Sequence, residues 1–258
     1  RSATSSAEFA AAVQQLLVLA GIVVVWQLVS GPLINSYYLS TPAAVLRQLA
    51  GWFAYDDVGA VQAPQAHRDW QRGTLARMMN WEYEGFFRIG MHHRHERNAV
   101  IQHGTMTVVR ASALRDVGHA WREGGDARGG WNTACICEDT ELGLRLLERG
   151  MRVLYVDLVF GAGLVPQDFD AYARQRRRWA MGAMQIMKQH ARTIFGRSSL
   201  SLAQRYHFVA GWLPWLGDAA HLVFSVAAML WTVGVLLAPS AIEEVVREGA
   251  NPDELLRL

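Results

Sequence analysis

Residues 219–238 read AAHLVFSVAAMLWTVGVLLA, twenty positions whose only ionisable group is His221. A stretch of this length and character matches the hydrocarbon thickness of a bilayer and is expected to cross it as a helix. Trp212, Trp215 and Trp231 are placed to anchor that helix at the interfaces. A second apolar run, LLVLAGIVVVW at 16–26, continues to Leu33. It is about the minimum for a span and also long enough for a buried helix. Its thin basic start and the lack of a small-residue cleavage site argue against a signal peptide. Arg192, Arg197 and Arg205 precede the C-terminal run, whereas Glu243, Glu244 and Glu248 outweigh Arg247 after it. Basic flanks stay cytoplasmic, so the section ahead of the run is expected in the cytoplasm and the tail outside.

Between the two runs lies a more polar section, roughly 54–200. A chain with 51% hydrophobic and 19% charged residues suits a membrane protein that carries such a section. VGAVQAP (58–64) reads as a strand ending at a proline turn, and NAVIQHGTMTVVR (98–110) as strand, glycine break, strand. In CEDTELGLRLLERG (137–150), Leu142, Leu146 and Leu147 recur at helical spacing and Gly150 closes the helix. MRVLYVDLVF (151–160) follows directly as a buried strand. Strands alternating with helices indicate an α/β fold with at least a partly parallel sheet. The chain divides into a hydrophobic segment at 1–53, the α/β section at 54–200, and membrane helix plus tail at 201–258. The tail from 240 onward has a possible short helix and no interpretable motif.

Glu138 and Asp139 stand side by side at the start of the 137–150 helix, where carboxylates either cap a helix or serve as a general base. In RQRRRWAMG (174–182), helical spacing puts Gln175, Arg178 and Trp179 on one face. An amide, a guanidinium and an indole together suit a ligand with phosphates and a flat sugar face. The same pattern also fits a solvated basic face or a headgroup-binding stripe. Between Pro166 and Arg205 eight Arg or Lys face two Asp, so this window carries +6 in a chain of net +2. Such a band suits a phosphate-bearing ligand or an anionic membrane; a nucleic acid is disfavoured because aromatics other than Trp179 are not interleaved with the arginines. Met181, Met184 and Met187 continue the helix as packing of an interfacial kind. HHRHER (92–97) lacks a carboxylate at metal-ligand spacing. QDFD (167–170) holds a D-x-D, but it opens the basic helix, where Asp is an ordinary cap. Cys135 and Cys137 are expected to be buried free thiols.

The order VQAPQ (61–65), HGTMTVVR (103–110), CEDTELGLRL (137–146) and QRRRW (175–179), followed by membrane helices, resembles a processive family 2 glycosyltransferase of the cellulose and β-glucan synthase type. The resemblance covers about 54–238. It implies a GT-A-like, Rossmann-like domain and transfer of a sugar from a nucleotide-diphosphate donor, UDP-glucose first among them, to a growing β-glucan. Asp139 matches the family's general base and Glu138 the supporting glutamate before it, with Cys137 where Thr is usual. Gln175, Arg178 and Trp179 match the positions that hold the donor diphosphate and the acceptor end, and Gln62, His103, Gly104 and Thr105 are expected to line the same donor and acceptor site. A bacterial inner membrane would host the protein.

The family also implies a divalent cation, Mg²⁺ or Mn²⁺, held by a D-x-D ahead of the VQAPQ strand. No D-x-D occurs before Val61, and the nearest acidic pair is Asp56-Asp57. WQLVSGPLINSYYLSTPAAVLRQL (26–49) instead is similar to the start of an ABC-transporter permease of the nitrate, sulfonate and taurine type. The chain thus reads as a junction near 52–54, lacking a donor and metal half, with exposed sheet edges and doubtful activity of its own. A non-catalytic membrane protein is the alternative.

Overall fold

The computed structural model describes residues 2–35, 39–122 and 130–237. An apolar helix, α1 (Ser2–Val29), comes first, followed by the short α2 (Pro42–Gln48) with Thr41 as N-cap, accepting from the Ala44 N–H, and Pro42 in its first turn. Next come β1 (Val58–Gln62), β2 (Ala66–His67) and α3 (Thr74–Glu84). A π-helical segment, Gly85–Gly90, joins α3 to α4 (Met91–Glu96). Then follow β3 (Thr107–Val109), α5 (Ala111–Arg122), α6 (Glu138–Glu148), β4 (Arg152–Tyr155), β5 (Ala162–Gly163), α7 (Phe169–Gln189), α8 (Ala191–Phe195) and α9 (Leu202–Leu237).

The chain divides into two units, Arg1–Val209 and Ala210–Leu258. The first carries a sheet in the order β3-β1-β4, with β1 antiparallel to β3 and parallel to β4. A second pair, β2 with β5, is parallel. The architecture is therefore α/β with a small, mixed sheet. β1 is buried along its whole length, VGAVQ, as a central strand without polar alternation should be.

Three sequence expectations change in detail. The 98–110 stretch forms a strand only at Thr107–Val109. Upstream of it, backbone groups bond to side chains instead of to a neighbouring strand. The Asn98 carbonyl accepts from Gln204, the Gln102 carbonyl from Thr140, and the His103 N–H donates to Gln62. The strand expected over 151–160 is limited to Arg152–Tyr155.

The second change concerns residues 40–54, which are stitched into the α/β unit. The Ser40 N–H donates to the Phe160 carbonyl at 2.9 Å. Val45, Leu49 and Phe53 pack on Val58, Val61, Ala63, Leu154 and Phe160. Arg110 donates to the carbonyls of Phe53, Tyr55 and Val58, and its guanidinium lies 5.4 Å from the Phe53 ring. Residues 40–53 therefore pack with the α/β section.

The third concerns the sheet edges. The outward N–H groups of β4 are both taken: Val153 donates to Asn98 Oδ1 and Tyr155 to His95 Nδ1, each at 3.1 Å. That rim of the sheet is sealed by side chains, not left exposed.

Among the described residues two helices are long and apolar enough to cross a membrane, Ala11–Val29 and Leu202–Leu237. The second runs through Pro214 and starts well ahead of the expected span at 219. The tail beyond 239, with Glu243, Glu244, Arg247 and Glu248, lies outside the described residues.

Candidate active site

Gln62 is fully buried at the end of β1, and its amide organises the loop that leads into β3. Nε2 donates to the carbonyls of Ala63 (2.7 Å) and Thr105 (2.9 Å). Oε1 accepts from the His103 N–H at 2.8 Å and from the Thr107 hydroxyl. Expected to meet substrate, Gln62 instead shapes the loop that does face outward. Gly104 and Thr105 form the exposed apex of that loop. Gly104 has φ +70°, which a residue with a side chain rarely adopts, and Thr105 spends its hydroxyl on Gln65 Oε1 at 2.9 Å.

Asp139 sits in the first turn of α6, half-buried against this apex. A Cβ on Gly104 would lie 2.9 Å from Asp139 Oδ2, so only glycine leaves room for the carboxylate. Oδ1 accepts from the Thr140 N–H at 2.7 Å, and the Thr140 hydroxyl ties the turn to the Gln102 carbonyl. Among the described residues no Arg, Lys or His forms an ion pair with Asp139. Burial pushes its pKa up, with the neighbouring Glu138 adding to the effect and hydrogen bonds from Thr140 opposing it. Glu138 itself is exposed.

The His103 imidazole stands beside Gly104 within a set of aromatic rings. Phe86 and Phe87, both from the π-helical segment, lie 4.7 and 5.2 Å away, and Trp179 meets it edge-on at 6.2 Å. Burial holds His103 neutral, pushing its pKa down to about 4, with the charge on Arg94 contributing. Trp179 is also 5.9 Å from Tyr83. The Tyr83 hydroxyl is raised to about 12 by burial, against the lowering effect of a hydrogen bond with Gln175 and the charge on Arg178. Gln175 and Trp179 are half-buried on α7 and Arg178 is exposed. Of these three side chains, Trp179 reaches His103 beside the loop apex that packs on Asp139, and Gln175 bonds to Tyr83.

Asp168, the first carboxylate of QDFD, is the N-cap of α7, accepting from the Ala171 N–H at 2.7 Å. Among the described residues no group of three His, Cys, Asp or Glu side chains could hold a metal ion. His95 and His92 of HHRHER serve β4 and Asp157 respectively.

Residues 40–242 match glycosyl transferase family group 2. The chain belongs to this family. A match to a probable glucomannan 4-beta-mannosyltransferase of Oryza sativa subsp. japonica is 29% identical over 106 residues, 41% of this chain and 16% of the relative. A probable glucomannan 4-beta-mannosyltransferase of Arabidopsis thaliana is 32% identical over 80 residues, 31% of this chain and 15% of the relative. The UDP-forming cellulose synthase catalytic subunit of Xanthomonas axonopodis pv. citri is 29% identical over 166 residues, 62% of this chain and 21% of the relative. The chain accordingly spans about a fifth or less of the length of these relatives. The permease resemblance of 26–49 is not shown by these matches, and from residue 40 onward that stretch lies inside the glycosyltransferase match.

Sequence reasoning missed Tyr83, Phe86 and Phe87, because a π-helical segment has no periodic signature that distinguishes it from a run of core aromatics. It also missed Gly182 and Gln185. These lie three and four residues apart on the ladder that starts at Arg178, a signal obscured by the more conspicuous Met181, Met184 and Met187.

Proposed function

We propose that this chain supplies the acceptor side of a membrane-bound family 2 glycosyltransferase that lengthens a β-glycan, with Asp139 as general base. The observation that carries this is the half-buried Asp139 carboxylate, without an ion pair among the described residues and set against Gly104 beside His103 and Trp179. A carboxylate held out of water without a countercharge is costly, and such groups concentrate where proton transfer is needed. Asp139 would draw the proton from an acceptor hydroxyl as that oxygen bonds to the anomeric carbon of the donor sugar. The bond from that carbon to the nucleotide diphosphate breaks in the same displacement. A pKa above the ordinary aspartate range makes the base a better match to neutral pH.

Trp179 offers an apolar ring for the acceptor sugar, and exposed Arg178 can meet developing phosphate charge. His103, Gly104 and Thr105 border the same place, while Glu138 supports from the rim. UDP-glucose is the donor we favour, and a bacterial inner membrane with the α/β unit in the cytoplasm the location. The family's divalent cation and the nucleotide pocket would depend on residues other than those described. The second reading is a non-catalytic membrane protein, supported by the two long apolar helices.

The test is incorporation of radiolabelled UDP-glucose into polymer by membranes containing the full chain, with Mg²⁺, run beside a mannose nucleotide. Incorporation should fall by about 10² or more in Asp139→Asn. Equal incorporation in the variant removes Asp139 as base, and none in the wild-type chain favours the non-catalytic reading.

A further inference from the structure

The half of α7 beyond Trp179 has no role in the reading above, yet it and its C-cap bond to residues 132–141, the stretch that leads into α6. Gly182, Gln185 and Gln189 follow Arg178 at four-, three- and four-residue steps and share one face, and His190 is the C-cap of α7. Each meets the segment that carries Asp139. A Cβ on Gly182 would lie 2.3 Å from Cys137 Sγ, so the two elements touch backbone to side chain. Gln185 Oε1 accepts the Ile136 N–H at 3.0 Å. The Asn132 amide donates to Gln189 Oε1 at 3.4 Å. His190 Nε2 lies 2.9 Å from Glu141 Oε1, and the other oxygen of that carboxylate accepts from Arg145 Nε at 2.9 Å.

These contacts replace something α6 lacks. Its N-cap, Cys137, makes no side-chain capping bond, so the helix start is held by the Asp139 and Thr140 bonds described above together with these bonds to α7 and its C-cap. Glu141 and Arg145 are buried together with His190. A buried charged group of this kind is tolerated only where its partners are held in place.

We propose that Gly182, Gln185 and His190 are positioning residues that set the register of α6 against α7, and so fix where Asp139 stands relative to Gln175 and Trp179. The consequence for catalysis rests on the glycosyltransferase reading; the register itself does not. Gln185 is the residue to test, because Glu141 and His190 sit in a buried charged network whose loss would unfold the domain. Gln185→Leu keeps the bulk and loses the acceptor. Gln185→Glu keeps an oxygen for the Ile136 N–H.

Cys137 gives a readout that needs no activity. Burial raises its thiol to about 12, with Asp139 and Cys135 adding, so it should alkylate slowly in the wild-type chain. In the full chain in membranes, N-ethylmaleimide modification of Cys137, followed by mass spectrometry, should speed up about tenfold in Gln185→Leu. In Gln185→Glu it should stay within about threefold of wild type. Transfer by Gln185→Leu should lose about tenfold in kcat with donor KM unchanged. Unchanged labelling in Gln185→Leu, or equal acceleration in both variants, overturns the inference. Accelerated labelling with unchanged kcat overturns its link to Asp139. If labelling responds as expected but the wild-type chain transfers no sugar, the register stands and the glycosyltransferase reading falls.

Discussion

His103 shows how a single side chain can be legible as a candidate and illegible as a chemical group. The sequence places it beside a glycine in a loop; only the folded chain surrounds it with Phe86, Phe87 and Trp179. Its pKa in the folded chain is about 4, below the 6.5 of a free imidazole. The unfolded chain therefore binds the proton first, and stability falls as pH drops from about 6.5 towards 4. His67 and His95, also lowered by burial, act in the same direction. We expect a lower thermal midpoint at pH 5 than at pH 7.5, and a smaller difference in His103→Phe, which keeps an aromatic ring and removes one proton site. Equal differences in the two proteins would show that His103 does not titrate as described. Gln62 is the opposite case. Its type and place suggested substrate contact, yet apart from the adjacent Ala63 carbonyl the partners named above lie 41 to 45 residues on at His103, Thr105 and Thr107. No local pattern reveals that a buried amide is spent on a loop so distant in sequence.

Elements were readable in proportion to how much of their stabilisation is local. α6 matches its apolar spacing and ends just before Gly150, whose φ is +78°. The Gln175, Arg178 and Trp179 face of α7 follows from helix geometry alone. The strand expected at 98–103 does not form, because side chains of Gln62, Thr140 and Gln204 satisfy its backbone. Residues 40–54 were the least readable, since nothing in their sequence says that α2 and the turn after it cover the sheet. Arg110 secures that cover through its bonds to Phe53, Tyr55 and Val58. Arg110→Ala should cost about 2–4 kcal/mol, because three carbonyls lose a charged donor at once. Chymotryptic cleavage at Trp52, Phe53 or Tyr55 should accelerate correspondingly. Unchanged cleavage would mean that packing of Val45, Leu49 and Phe53 holds the cover unaided.

At the scale of the whole molecule, the candidate membrane windows of the two apolar helices are unburied, whereas Phe208 and Trp212 near the start of α9 are buried. The α9 helix of 36 residues is roughly 54 Å long, against about 30 Å of bilayer hydrocarbon. One end must therefore project into the interface or beyond; Trp212, expected as an interfacial anchor, is buried by protein. The chain should stay with the membrane pellet after an alkaline carbonate wash; its release would mean that these helices are covered by protein rather than lipid. The sealed rim of β4 has a further consequence at this scale. With Val153 and Tyr155 already bonded to Asn98 and His95, the three-stranded sheet can gain a strand on one side only. Growth is one-way: any polypeptide that widens this sheet must line up along β3, a few residues from the loop that shelters Asp139.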